Sequence, residues 1–226
     1  MSGAKSQVSR ENSIQHRLRT PRAAAIAGIL FSMLLVTSQE LVWNSITPNV
    51  GEAASEVLRQ SRTVSLALNL LPFAGIAFLW FIAVVRDRLG AMEDRFFTTV
   101  FLGSGLLYIA MTFTSAALAG GLIRVLSSSS EILAQTGTYA LSRAQIYQTM
   151  NVYGIKMAGV FMFSTSTILL RTGIVRRWIP FLGYALGMVL LLSIGIIVWI
   201  PLVFPVWISL VSTAILLEKP SKVSFA

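Results

Sequence analysis

A chain of 226 residues with 55% hydrophobic and only 12% charged residues holds about half the charge of an ordinary soluble domain. Its mean hydropathy of +0.74 fits a surface solvated by lipid, which demands no polar coat. With no cysteine and one histidine, His16, the chain excludes disulfides, thiolate catalysis, iron–sulfur clusters and zinc sites built on cysteine, and it leaves no haem or histidine-rich metal site inside a membrane.

Residues 1–22 form a polar, basic tail with a short helix expected near 13–18. Six apolar stretches follow, at 23–43, 64–85, 97–123, 151–170, 178–199 and 201–217, each close to the roughly 20 residues that cross a bilayer as a helix. They make one domain, 23–217, and a polar tail completes it at 218–226. Continuous apolar runs, with no alternation of period two, disfavour a β-barrel. Pro21 suits the first turn of the first helix, and Pro201 that of the last. Within the first stretch, Val36-Thr37-Ser38 resembles a signal-peptide cleavage site; the apolar run continues to Trp43, so retention is expected. Gly120-Gly121 is expected to end or kink the third helix. Residues 132–150 are too polar to cross and are expected to rest on the outer surface as an amphipathic helix, lidding any pocket there.

Threading follows from charge. Placing both tails and the second–third and fourth–fifth connections on one side gathers thirteen Lys and Arg there. Only Arg59, Arg62, Arg124 and Arg143 remain opposite. The positive-inside rule makes the richer side cytoplasmic. The expected fold class is therefore all-α, an integral membrane bundle of six transmembrane helices with both termini cytoplasmic. The net charge of +9 does not indicate nucleic acid, because the bases flank apolar segments; anionic lipid at the cytoplasmic face is the expected contact.

Charged residues inside spans are costly and point to function more often than surface charges do. Glu40 and Lys156 qualify. A rise of 1.5 Å per residue puts Glu40 roughly 27 Å above the cytoplasmic boundary and Lys156 about 22 Å. Asn69 and Thr112 come to about 26 Å, with Asn151 close to the same level. These five define a candidate polar pocket in the outer part of the membrane, in which Glu40 and Lys156 pair or share water. A plainer reading stays open: Glu40 is interfacial, Lys156 snorkels outward, and the neutral groups bond to neighbouring helices. No catalytic residue, cofactor or metal is expected, since neither G-x-S-x-G nor H-E-x-x-H occurs and Gly103-Ser104-Gly105 lacks the Lys of a phosphate loop. The turn at 86–95 reads as a salt-bridged cytoplasmic cap. Gly183-x-x-x-Gly187 and Gly154-x-x-x-Ala158 permit close helix approach, with packing inside the chain favoured over a dimer face.

The run Arg171-Thr172-Gly173-Ile174-Val175-Arg176-Arg177-Trp178-Ile179-Pro180-Phe181-Leu182-Gly183 and the opening Arg22-Ala23-Ala24-Ala25-Ile26-Ala27-Gly28 resemble a junction and a first helix in a broad set of small bacterial six-span integral membrane proteins of unknown function. The resemblance covers layout and two short motifs. It implies the bacterial inner (plasma) membrane and transfers no activity or functional residue. Three readings of function remain. The first is a non-enzymatic protein that binds a lipid or small hydrophobic molecule, or assists a larger membrane complex. The second is a small transporter or channel subunit acting as a homo-oligomer. The third is a membrane enzyme using Glu40 and Lys156.

Overall fold

The computed structural model describes residues 23, 25–42, 50–87, 95–173, 175–193 and 199–217, and among them no strand occurs. Seven α-helices follow in order: α1 (Ala25–Val42), α2 (Val50–Asp87), α3 (Arg95–Thr136), α4 (Thr138–Gln148), α5 (Ile155–Thr172), α6 (Trp178–Leu192) and α7 (Ile200–Leu217). A π-helical segment, Thr149–Gly154, joins α4 to α5 without a break, so 138–172 is one rod. Five helices are long and apolar enough to cross a membrane. Both tails and most of the 86–95 turn lie outside the described residues.

Several helices are longer than the apolar stretches that mark them. The second begins at Val50, well before the expected 64, because Ala53, Ala54, Glu56, Leu58 and Arg59 are good helix formers with no proline among them. The third runs through Gly120-Gly121 to Thr136, so it does not end there. Two internal glycines cost about 2 kcal/mol of helix propensity, but Ala119, Leu122 and Leu126 around them pack into a cluster with Tyr139 and Ile146 of α4. That burial outweighs the propensity loss. Gly137 makes the sharp turn into α4 with φ of +67°, a conformation that glycine adopts without steric cost. The polar 132–150 segment therefore does not rest flat on a surface; α4 stands in line with α5 and packs along α3. α6 is shorter than expected, 15 residues ending at Leu192.

The core is aromatic. Phe31 of α1 stacks on Phe78 of α2 at 4.5 Å, Phe78 meets Phe161 of α5 at 5.1 Å, Phe101 of α3 stacks on Phe161 at 4.7 Å, and Tyr108 meets Phe204 of α7 edge-on at 4.6 Å. Each pair adds about 0.5–1.5 kcal/mol beyond its buried area. Five helices are thus fastened at one level. Outside this core, Leu66, Phe73, Ile76 and Trp80 of α2 and Ile26, Leu30 and Met33 of α1 face outward, each about half exposed or more. An apolar outer surface of this extent suits lipid and not water.

α5 and α6 make the most extensive helix contact, and glycines are the reason. A Cβ on Gly159 would come within 3.0 Å of the Gly187 carbonyl oxygen, and one on Gly187 within 3.2 Å of that of Gly159. The backbones touch directly, as small-residue spacings permit. The Gly183/Gly187 pair is thus used inside the chain.

Candidate functional site

Above the aromatic layer the helices part around a cavity of about 210 Å³. Its wall is drawn from the end of α1 (Ser38, Gln39, Glu40, Val42), Leu71 of α2, α3 (Thr112, Ser115, Ala116, Ala119), Ile146 of α4, Met150 and Asn151 of the π segment, and Trp199, Pro201 and Leu202 at the start of α7. An apolar cavity of about 150 Å³ accepts a benzene molecule, so this one has room for a ring or short alkyl chain with a small polar head.

The π segment shapes one wall. The Ile155 N–H reaches back five residues to the Met150 carbonyl, which accommodates one residue more than an α-helix of the same length. The surplus residue re-aims the side chains within the turn, and Met150 and Asn151 reach the cavity beside Ile146. Such insertions are frequent at functional sites. Asn151, buried, donates its amide to the Tyr147 carbonyl at 3.3 Å. Ser115 donates across helices to the Ile146 carbonyl at 3.2 Å.

Of the five residues expected to form a polar pocket, the structure brings three together: Glu40, Thr112 and Asn151 all line the cavity. Asn69 does not. It faces outward and satisfies its amide locally, donating to the Ser65 carbonyl at 2.8 Å. Lys156 does not line the cavity either. Its amine donates to the Leu191 carbonyl of α6 at 3.0 Å. That carbonyl is one of the last four of α6, which have no donor within their own helix, and a cation there also complements the helix dipole. Lys156 therefore caps α6. The pairing of Glu40 with Lys156 is not made.

This arrangement predicts the outcome of a double-mutant cycle. Lys156→Met should lower stability by about 1–2 kcal/mol by orphaning the Leu191 carbonyl, and Lys156→Arg should recover most of it. Combined with Glu40→Gln, the loss should add to within about 0.5 kcal/mol, as for independent sites. Unfolding of the four proteins in detergent measures this, and a larger coupling would show that the two charges meet.

Hydroxyls elsewhere in the bundle are mostly satisfied within their own helix. Ser104, Thr112, Thr165 and Thr167 each donate to the carbonyl four residues earlier at 2.7–3.0 Å, the usual device for carrying Ser and Thr in apolar helices. Ser32 lies within donating distance of the Gly28 and Pro205 carbonyls, at 2.8 and 2.7 Å. Ser38, Ser166 and Ser212 depart from this habit, and of the three Ser38 is the one that lines the cavity. Wholly buried at the cavity wall, its Oγ has no hydrogen-bond partner, and the Oε1 of neighbouring Gln39 has none either. Hydropathy gave no sign of this, because it cannot tell a back-bonded serine from a free one.

Among the described residues, an all-helical bundle with membrane-crossing dimensions and a mostly apolar cavity carrying a few polar groups is the class that fold and site define. No family model, curated protein or solved structure matches the chain.

Proposed function

We propose that this protein is a six-span protein of the bacterial inner membrane, with both termini cytoplasmic, that binds a small hydrophobic molecule or a lipid chain without chemically altering it. The observation that carries this reading is the cavity of about 210 Å³, walled by Leu71, Ala116, Ala119, Ile146 and Met150 with a few polar groups at one edge. Ligand sites have this make-up: mostly apolar, with few polar groups that fix orientation. The excess of Lys and Arg on one side supports the threading and an anionic-lipid contact at the cytoplasmic face. Rings of Phe31, Phe78, Tyr108, Phe161 and Phe204 packed beneath the cavity favour binding over conduction through a single copy. The distance between the tasks of Glu40 and Lys156 weighs against an enzyme built on that pair. Assistance to a larger complex or self-association would use the same pocketed bundle.

Ala119 offers the test. It lines the cavity and is 1% exposed, so Ala119→Trp places an indole in the space a ligand would fill. Native mass spectrometry of the full chain released from nanodiscs should show a small bound mass on the wild type, reduced about tenfold or more in the variant. Equal loading of both proteins would refute the reading.

A further inference from the structure

The polar edge of the cavity has a chemical sign. Glu40 supplies a carboxylate, and no cation among the described residues pairs with it. Gln39 supplies a buried carbonyl oxygen, and Ser38 a buried hydroxyl, neither with a partner. Pro205 has no N–H to give to the carbonyl of Pro201, four residues earlier on α7, and Pro201 lies in the same wall. Asn151 gives one of its two amide N–H bonds to the Tyr147 carbonyl. Neither Lys nor Arg lines the cavity. One carboxylate without a cation thus borders a largely apolar space, with the unpartnered Ser38 and Gln39 oxygens beside it on α1. Buried acceptors without donors are costly, so the complementary occupant brings N–H donors and positive charge to that edge and an apolar body to the rest.

We infer that the cavity binds an amphipathic primary or secondary amine as its ammonium ion, with Glu40 as counter-charge. This rests on the ligand-binding reading above and narrows it to one ligand chemistry. The ammonium can belong to a free small molecule or to the headgroup of an aminophospholipid whose acyl chain lies along the bundle.

The test uses three probes of one shape. Phenethylamine, phenethyl alcohol and phenylacetate are titrated against the full chain in nanodiscs of phosphatidylcholine, whose headgroup nitrogen carries no N–H. Phenethylamine should bind about tenfold more tightly than the alcohol, and phenylacetate should bind most weakly, as expected for a partly desolvated charge pair. Glu40→Gln should bring amine and alcohol to within about twofold, and Glu40→Asp should restore part of the preference; unchanged melting temperatures establish that both variants fold. Equal binding of amine and alcohol to the wild type overturns the ammonium assignment and leaves the apolar-ligand reading standing. Failure of all three probes, with no aminophospholipid retained by the wild type, overturns both. Repeating the titration in phosphatidylethanolamine discs separates the sources: weakened phenethylamine binding assigns the site to the lipid amine, and unchanged binding assigns it to a free amine.

Discussion

Gly183→Leu is expected to destabilise the protein by about 3 kcal/mol, the upper range for overpacking a filled interior. Gly183 is buried on the inner face of α6. A Cβ there would lie 2.6 and 2.9 Å from ring carbons of Trp207 and closer still to the Ser166 hydroxyl oxygen. Trp207 and Ser166 are themselves essentially unexposed, so neither can withdraw. α6 must then move off both α5 and α7. Its displacement also parts Gly159 from Gly187, where the backbones touch, and draws Leu191 away from Lys156. Alanine at 183 should already cost about 1–2 kcal/mol. Gly103→Ala makes the control, because a Cβ there meets nothing within 4 Å; restricting the unfolded chain should stabilise it by about 0.4–1 kcal/mol. Thermal unfolding of the three variants in detergent distinguishes the cases. A Gly183→Leu protein that melts with the wild type would mean that α6 does not pack as described.

What the sequence made legible was where lipid-compatible chain begins and ends. The apolar stretches at 23–43 and 201–217 agree with α1 and α7 to within a few residues. α2 and α3 outrun their apolar stretches, because helix propagation depends on propensity and packing, while hydropathy reports only burial in lipid. Past Gly121, α3 is held by contacts to Tyr139 and Ile146, residues distant in sequence whose position no local pattern reveals. The depth assigned to Lys156, about 22 Å, equals the length of a 15-residue helix. It placed the amine at the level where α6 stops. Its partner is not legible in the sequence because nothing marks that stop: the chain stays largely apolar from Leu192 to Trp199. A lysine and a glutamate at similar heights invited pairing, and a helix end supplied a nearer acceptor. In the sequence Ser38 is one hydroxyl among many, since only the structure separates it, with Ser166 and Ser212, from serines that bond to their own helix. The π segment has no sequence signature that could have been read.

That segment carries the second large effect. Deleting Val152 removes the surplus residue from Thr149–Gly154 and lets 138–172 relax into a regular α-helix. The π turn absorbs the surplus residue within the length of an ordinary helical turn, so α4 and α5 keep their faces toward α3 and the adjustment falls on the segment itself. Tyr139 and Ile146, 2% and 3% exposed, stay in their cluster against Ala119, Leu122 and Leu126, and stability should change by no more than about 1 kcal/mol. The effect on binding should be greater. Met150 and Asn151 face the cavity beside Ile146 because the π turn aims them there, and a regular turn points them elsewhere. Ligand retention by the deletion variant should fall about tenfold or more relative to wild type, while α1, α2 and α7, fastened through Phe31, Phe78 and Phe204, stay assembled. Bound mass and far-ultraviolet circular dichroism together measure both parts. Retention at the wild-type level would mean the segment is an accident of packing; retention lost with helicity kept would establish that the extra residue is maintained for the cavity.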